Sequence, residues 1–243
     1  MTELIVALDT PTFDDAATIV ERLGDLITWY KVGYEAYFAF GQRLIPELRA
    51  RGKKVFLDLK LHDIPNSVAG GIRSLAQSGA SLLTIHGSGG GEMLAAAAAA
   101  RDEVNSQGAD LRLLAVTLLT SHSAGDLRAV GVGADPHAIV SIRAGLAADC
   151  GIDGCVCAVD EVAIVRSRVR ANFLIVCPGI RGSDQSSDDQ RRTATPTDAV
   201  LAGAVAIVVG RPITRSADPK AAAQAILDEI DAALPIYDPG RLA

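Results

Sequence analysis

Residues 54–66 read Lys54-Val55-Phe56-Leu57-Asp58-Leu59-Lys60-Leu61-His62-Asp63-Ile64-Pro65-Asn66, so an apolar run passes directly into a dense group of charges. The run predicts a β-strand over Lys54–Lys60, in which Asp58 and Lys60 share one face about 6.5 Å apart along the backbone. Opposite charges on a buried face are costly unless they pair or meet a ligand. An ordinary ion pair at a strand end is the plain alternative. The third charge, Asp63, followed by a turn, favours a ligand site.

Similar apolar runs recur along the whole chain. The strand candidates are Leu4–Asp9, Thr28–Val32, Lys54–Lys60, Ser81–His86, Leu111–Thr117, Gly154–Cys157, Phe173–Cys177 and Val205–Gly210. Helical spacing occurs in Phe13–Leu23, Tyr34–Arg51, Pro65–Gln77, Gly91–Val104, Pro136–Ala148 and Pro219–Ala233. Strands rich in Val, Ile and Leu that alternate with helices predict a parallel sheet covered by helices. Eight such strands in 243 residues predict a single (β/α)8 barrel over residues 1–243.

A doubly wound open sheet is the main alternative fold. Such folds carry a glycine-rich loop after the first strand when they bind dinucleotides. Here the first strand ends in Asp9-Thr10-Pro11 instead. The barrel is therefore the favoured prediction.

Composition restricts the class of protein. The chain is 49% hydrophobic, 21% charged and 4% aromatic with a net charge of −6, which predicts a soluble globular protein that does not bind nucleic acid. No apolar segment is long and unbroken enough to predict a membrane span. The four cysteines show no Cys-x-x-Cys spacing and lie in or beside apolar runs, which predicts free thiols in a reducing cytoplasm.

Polar residues follow the predicted strands, and in (β/α)8 barrels the active site lies at these C-terminal strand ends. The residues at these ends are Asp9, Lys31, Asp58, Lys60, His86, Thr120, Arg181 and Arg211. The loops after the seventh and eighth strands are the usual phosphate site of the fold. A guanidinium after Gly210 and a short helix beginning in Pro-Ile-Thr suit that role. Arg101, by contrast, is expected to be a surface arginine.

The connection over residues 178–195 is long and polar and has no periodicity, as is typical of lids and binding loops. We expect it to be a mobile cover whose Arg181 and Gln190 close over a bound phosphate. The two histidines near the site, His62 and His86, lack further ligands at metal spacing, so no metal site is predicted.

Taken in order, these motifs resemble the orotidine 5'-monophosphate decarboxylase family. The resemblance covers essentially the whole chain and rests first on Asp58–Asn66. The other matching segments are Ala7–Asp9, Lys31–Gly33, Val116–Ser121, Pro178–Arg181, Asp189–Gln190 and Val209–Arg211. The resemblance implies a homodimeric barrel that decarboxylates orotidine 5'-monophosphate to uridine monophosphate in pyrimidine biosynthesis, with no metal or organic cofactor.

The resemblance also implies a role for each site residue. Lys60 would protonate the carbanion at C6 of the pyrimidine within the charge array Lys31–Asp58–Lys60–Asp63. Asp9 and Lys31 would bind ribose hydroxyls, Thr120 the pyrimidine, and Arg181, Gln190 and Arg211 the phosphate. Ile64, Pro178 and Gly210 would complete the substrate-binding set, and Asp63 and Ser67 would reach the partner's site. Ser67 stands where the family usually has threonine, and the segment from Gly182 to Asp189 differs from the commoner lid sequences.

Two other functions are compatible with parts of the pattern. A magnesium-dependent sugar-phosphate decarboxylase or aldolase has a similar Asp-x-Lys-x-x-Asp strand, but it needs a cluster of oxygen ligands. This chain has the cation Lys31 where a carboxylate would be expected. A non-catalytic nucleotide-binding barrel is the second alternative, and it gives no reason for a full array of alternating charges.

Overall fold

The structure, a computed structural model, describes residues 2–133, 135–181 and 193–234. Strands from these residues close into one parallel barrel in sequence order. They are β1 (Glu3–Ala7), β2 (Trp29–Val32), β3 (Lys54–Leu61), β4 (Leu82–His86), β5 (Arg112–Val116), β6 (Gly154–Val156), β7 (Leu174–Cys177) and β8 (Ala206–Val209). Pairing of Ile5 with Val208 joins the first strand to the last. The predicted (β/α)8 barrel is confirmed, and the open sheet is excluded.

Helices cover the outside of the barrel. They are α1 (Phe13–Leu23), α2 (Tyr34–Ala50), α3 (Pro65–Ala76), α4 (Gly90–Ser106), α5 (Ala124–Ala129), α6 (Pro136–Asp149), α7 (Val162–Arg166), α8 (Pro196–Ala202), α9 (Arg211–Thr214) and α10 (Pro219–Ala233). All six longer helices were predicted to within two residues, and α9 begins where a short helix was expected. The sequence did not predict α5, α7 and α8, because helices of five to seven residues are too short to show a helical period.

Two apolar layers hold the barrel together. Side chains on the outer face of the strands, such as Leu57 and Leu83, pack under the helices. A smaller inner cluster that includes Phe56, Leu82 and Leu114 fills the barrel interior. Because the inward positions beyond this cluster are polar, the C-terminal mouth of the barrel stays open for a site.

The strand β3 is irregular where its charges begin. Leu57 pairs with Leu83 of β4, but Leu61 pairs with Ile85, so β3 uses two more residues than β4 over this segment. Bulges of this kind re-aim side chains and often occur beside active sites. Lys60, within the bulge, has a φ of 44°, in the left-handed region that non-glycine residues rarely adopt. Asp58 and Lys60 do share the inner face, as predicted, but no local pattern of residues indicated the bulge.

One expectation about the surface was wrong. Arg101 is buried on α4, where it forms ion pairs with Asp102 at 2.7 Å and with Asp153. Asp153 also accepts the backbone N–H of Leu113, so the arginine links α4 to the loop before β6. The position of Arg101 in a helix carried no sign of this link, because the partner carboxylate is 52 residues away in sequence.

The cysteines Cys150, Cys155, Cys157 and Cys177 are free thiols, as predicted, and the last three are buried. No helix in the described part of the chain has the length and apolar character that crossing a membrane requires.

Candidate active site

A cavity of about 500 Å³ opens at the C-terminal mouth of the barrel, the position where enzymes of this fold have their active sites. The predicted residues that line it are Asp9, Lys31, Asp58, Lys60, Thr120, Pro178, Arg181, Gly210 and Arg211. They come from the ends of different strands, and the closure of the barrel brings them together. The convergence predicted from the strand ends is therefore present in the folded chain.

Alternating charges line part of the cavity. Lys31 Nζ lies 3.1 Å from the Asp9 carboxylate and 3.5 Å from the Asp58 carboxylate. Lys60 Nζ donates a hydrogen bond of 2.8 Å to Asp58 Oδ1. Asp58 thus lies between two ammonium groups, and each of its oxygens faces one of them.

The surroundings of these groups favour their charged forms. Burial alone would raise the pKa of Asp58, but the ammonium groups of Lys31 and Lys60 outweigh it and lower that pKa below its usual value. Burial likewise opposes the charge on Lys31, yet Asp58 and Asp9 together raise the pKa of this lysine. Both residues are therefore charged at neutral pH, and the array holds a fixed pattern of charge in a partly dry site.

Two residues that the sequence did not single out support the array. The Thr84 hydroxyl donates to Asp58 Oδ1 at 3.0 Å, and the Tyr34 hydroxyl donates to the carbonyl of Leu59 at 3.0 Å. The Lys60 ammonium also lies 5.5 Å from the centroid of the Tyr34 ring, a cation–π distance. Threonine is common in strands and tyrosine is not unusual at the start of a helix, so neither residue type indicated a contact with the charge array.

The arginines occupy the other side of the cavity. Arg211 begins α9 directly after β8, and Arg181 follows β7. The backbone N–H of Arg181 donates to the carbonyl of Ala194 at 3.0 Å, which joins the two ends of the 178–195 connection. Thr214 and Arg215 also line the cavity and add polar groups that the strand-end pattern did not predict. Gln190, predicted to contact phosphate, lies outside the described residues.

Three predicted residues do not line the cavity of their own chain. Asp63, Ile64 and Ser67 are exposed beyond the end of β3. The Asp63 carboxylate accepts the backbone N–H of Ile64 at 2.6 Å, and Ile64 is 67% exposed. These three residues therefore lie outside the cavity that the other predicted residues line.

The histidines form a separate pair at the rim. The rings of His62 and His86 stack with centroids 5.0 Å apart. Burial, then the neighbouring His62 and nearby cations, lowers the pKa of His86 to about 4, so this ring is neutral at pH 7. Within the described ranges, no group of three or more His, Cys, Asp or Glu residues could hold a metal ion.

A closed parallel barrel with a Lys–Asp–Lys array and two arginines lining a cavity at its C-terminal mouth defines a (β/α)8-barrel protein with a strongly charged candidate active site. The chain belongs to the family described as orotidine 5'-phosphate decarboxylase / HUMPS, whose pattern it matches over residues 2–226.

Individual relatives agree with this assignment. The orotidine 5'-phosphate decarboxylase of Methylobacterium sp. (strain 4-46) is 50% identical over 227 residues, covering 93% of this chain and 94% of the relative. That of Methylobacterium nodulans is 50% identical over 230 residues, covering 95% and 96%. The crystal structure of the Lactobacillus acidophilus orotidine 5'-phosphate decarboxylase superposes with a TM-score of 0.84 at 38% identity, covering 95% of this chain and 100% of that one.

Proposed function

We propose that this chain is an orotidine 5'-monophosphate decarboxylase, a carboxy-lyase that forms uridine monophosphate and carbon dioxide in pyrimidine biosynthesis. Relatives with that name are 44–50% identical over more than nine-tenths of the chain, which supports the assignment. The observation that carries it is the Lys31–Asp58–Lys60 array facing the cavity opposite Arg181 and Arg211. The four free thiols suit a cytoplasmic location for the enzyme.

Lys60 is the proton donor in this proposal. Loss of carbon dioxide leaves negative charge on C6 of the pyrimidine, and an enzyme accelerates the step by binding that charge more tightly than it binds the substrate. An ammonium about 4 Å from the carbon attracts the charge by roughly 4 kcal/mol at an effective dielectric of 20. The hydrogen bond from Lys60 Nζ to Asp58 holds the ammonium in place before reaction, so little reorganisation is needed. In this proposal the protein's own charges supply the stabilisation, and no metal or organic cofactor takes part.

The rest of the nucleotide binds across the mouth of the barrel. Asp9 and Lys31 bind the ribose hydroxyls, and Thr120 and Pro178 contact the pyrimidine side. Arg211, Gly210, Arg181 and Gln190 bind the phosphate, and the 178–195 connection closes over it. Phosphate binding far from the reacting carbon then contributes to the chemical step, because it drives closure and excludes water.

A second copy of the chain completes the site. Tyr34, Phe38 and Ile64 are large exposed apolar residues, and Tyr34 and Phe38 stack with ring centroids 6.0 Å apart. The Tyr34 hydroxyl is hydrogen-bonded to the backbone of β3, and Ile64 lies in the loop after this strand, next to Asp63. Exposed apolar side chains of this size support our inference that this surface is an interface. In the homodimer, Asp63 and Ser67 reach the partner's cavity, and Ile64 contacts the substrate there.

Complementation tests this shared site. Mixed Lys60→Ala and Asp63→Ala subunits form heterodimers in which one site carries both changes and the other carries neither. Random re-association should restore about one quarter of the wild-type activity from two inactive parents. Activity that never exceeds the sum of the parents, although exchange is demonstrated by mass, would rule out the shared site.

The decisive test of the function is loss of the substrate's ultraviolet absorbance on incubation with orotidine 5'-monophosphate, after exhaustive treatment with a chelator. We expect complete conversion, with uridine monophosphate as the product. No turnover of this nucleotide, together with magnesium-dependent turnover of a sugar-phosphate acid, would assign the chain to the other decarboxylase class.

A further inference from the structure

Thr84 occupies an unusual place in the barrel wall. It is fully buried on the inner side of β4, opposite the bulged segment of β3. Its inward neighbour on the same strand, Leu82, belongs to the apolar inner cluster. An apolar residue would therefore be expected at this position, because a buried hydroxyl costs free energy unless it is hydrogen-bonded.

The Thr84 hydroxyl forms hydrogen bonds to both Asp58 and Lys60 of the charge array. It donates to Asp58 Oδ1 at 3.0 Å and accepts the backbone N–H of Lys60 at 2.8 Å. The Lys60 ammonium donates to the same Asp58 oxygen at 2.8 Å. These three hydrogen bonds close a ring that includes the backbone and the side chain of Lys60.

The ring explains how Lys60 keeps its rare backbone conformation. A residue with a φ of 44° is held against a steric cost, and such strain persists only where the surroundings fix it. The bulge removes the backbone partner that a regular ladder would give Lys60, and the hydroxyl replaces that partner. Without the hydroxyl, Lys60 would lose the contact that holds its backbone, and Asp58 would lose a donor.

We propose that Thr84 is a positioning residue: its hydroxyl fixes the left-handed Lys60 and the Asp58 carboxylate together, and so aims the Lys60 ammonium at the reacting carbon. This inference rests on the proposed decarboxylase function. It concerns the chemical step and not nucleotide affinity, because Thr84 does not line the cavity.

The test compares Thr84→Val, which keeps the shape and removes the hydroxyl, with Thr84→Ser, which keeps the hydroxyl. For Thr84→Val we expect kcat to fall by about 10- to 100-fold, since a displacement of the reacting group near 1 Å has that effect. The Kd for uridine monophosphate should stay within about threefold of wild type, and Thr84→Ser should restore kcat to within about threefold.

Thr117→Val is the matched control. Thr117 is also fully buried, and its hydroxyl donates to the carbonyl of Val156 at 2.9 Å, outside the array. That carbonyl also accepts the Thr117 N–H, so the control leaves no backbone group without a partner. We expect Thr117→Val to keep kcat within about threefold of wild type. Equal kcat losses in Thr84→Val and Thr117→Val, or in Thr84→Val and Thr84→Ser, would overturn the proposal.

One further measurement keeps the inference separate from the proposed function, because it does not depend on activity. A crystal structure of Thr84→Val should show Lys60 outside the left-handed region or its ammonium moved from Asp58, and an unchanged Lys60 would overturn the proposal even if wild type proved inactive on orotidine 5'-monophosphate. Should Thr84→Val fail to fold, Thr84→Ala removes the same hydroxyl without adding a group, and its comparison with Thr84→Ser decides the question.

Discussion

Gly33 lies beside the Lys31–Asp9 ion pair. It precedes α2, and its φ of −92° is one that any residue can adopt. A side chain at this position therefore causes no backbone strain, and its cost comes only from the atoms that it would contact. A Cβ added at this position would lie 2.6 Å from Asp9 Oδ1 and 3.0 Å from Lys31 Nζ. Both distances are inside normal contact, so Gly33→Ala must displace the Asp9 carboxylate by roughly 0.5–1 Å.

The displacement should affect activity far more than stability. Asp9 is half exposed and can rotate into water, and the buried Lys31 keeps its ion pair with Asp58, so we expect a loss of only about 1 kcal/mol in the free energy of unfolding. In the proposed mechanism, however, Asp9 and Lys31 hold the ribose above the array. A shift near 1 Å in such a group predicts a loss of about 10- to 100-fold in kcat/KM.

Steady-state kinetics on orotidine 5'-monophosphate and thermal unfolding together check this prediction. Gly133→Ala is the control, because Gly133 is exposed between α5 and α6 and its added Cβ would meet no atom within 4 Å. We expect the control to match wild type in both assays. A Gly33→Ala enzyme within about twofold of the control in kcat/KM would refute the role given to the Asp9–Lys31 pair.

Two other changes test different parts of the site. Arg211→Ala should reduce kcat/KM by at least about 100-fold, because it removes a charged contact to the phosphate, whereas Arg112→Ala at the opposite mouth of the barrel should change it little. Steady-state kinetics check this, and equal small losses in both variants would exclude the phosphate assignment. The unfolded chain takes up a proton on His86 near pH 6.5, but the folded chain does so only near pH 4, so wild type should lose stability as pH falls through this window. Chemical unfolding at pH 7 and pH 4.5 measures this decrease in the free energy of unfolding. The decrease should be smaller in His86→Gln than in wild type by up to about 2 kcal/mol, a figure reduced for the partial exposure of the ring. Identical decreases in the two proteins would contradict the lowered pKa of His86.

The sequence was sufficient for the residues that strand order alone brings together. In a closed parallel barrel all strands end at one rim, so a charge at the end of each predicted strand is also a charge at the common mouth. Asp9, Lys31, Asp58 and Arg211 follow this rule, and each lines the cavity. Their recognition required only the strand pattern.

The sequence was not sufficient where the result depends on register between strands. The bulge in β3 and the left-handed Lys60 arise because Leu61 pairs with Ile85, and no local pattern specifies that pairing. Thr84 acquires its role from the same register. The burial of Arg101 likewise depends on a distant carboxylate. Asp63 is a different case, since its proposed role needs a second chain.

The most direct test of the central claim is single-turnover decarboxylation by Lys60→Ala, measured beside Lys54→Ala, which changes a lysine at the opposite end of the same strand. If the Lys60 ammonium protonates C6, the rate of Lys60→Ala should be about 10²–10⁴-fold lower than that of wild type, although the variant still binds uridine monophosphate. Lys54→Ala should resemble wild type. A Lys60→Ala enzyme that decarboxylates at a rate within tenfold of wild type would contradict the account.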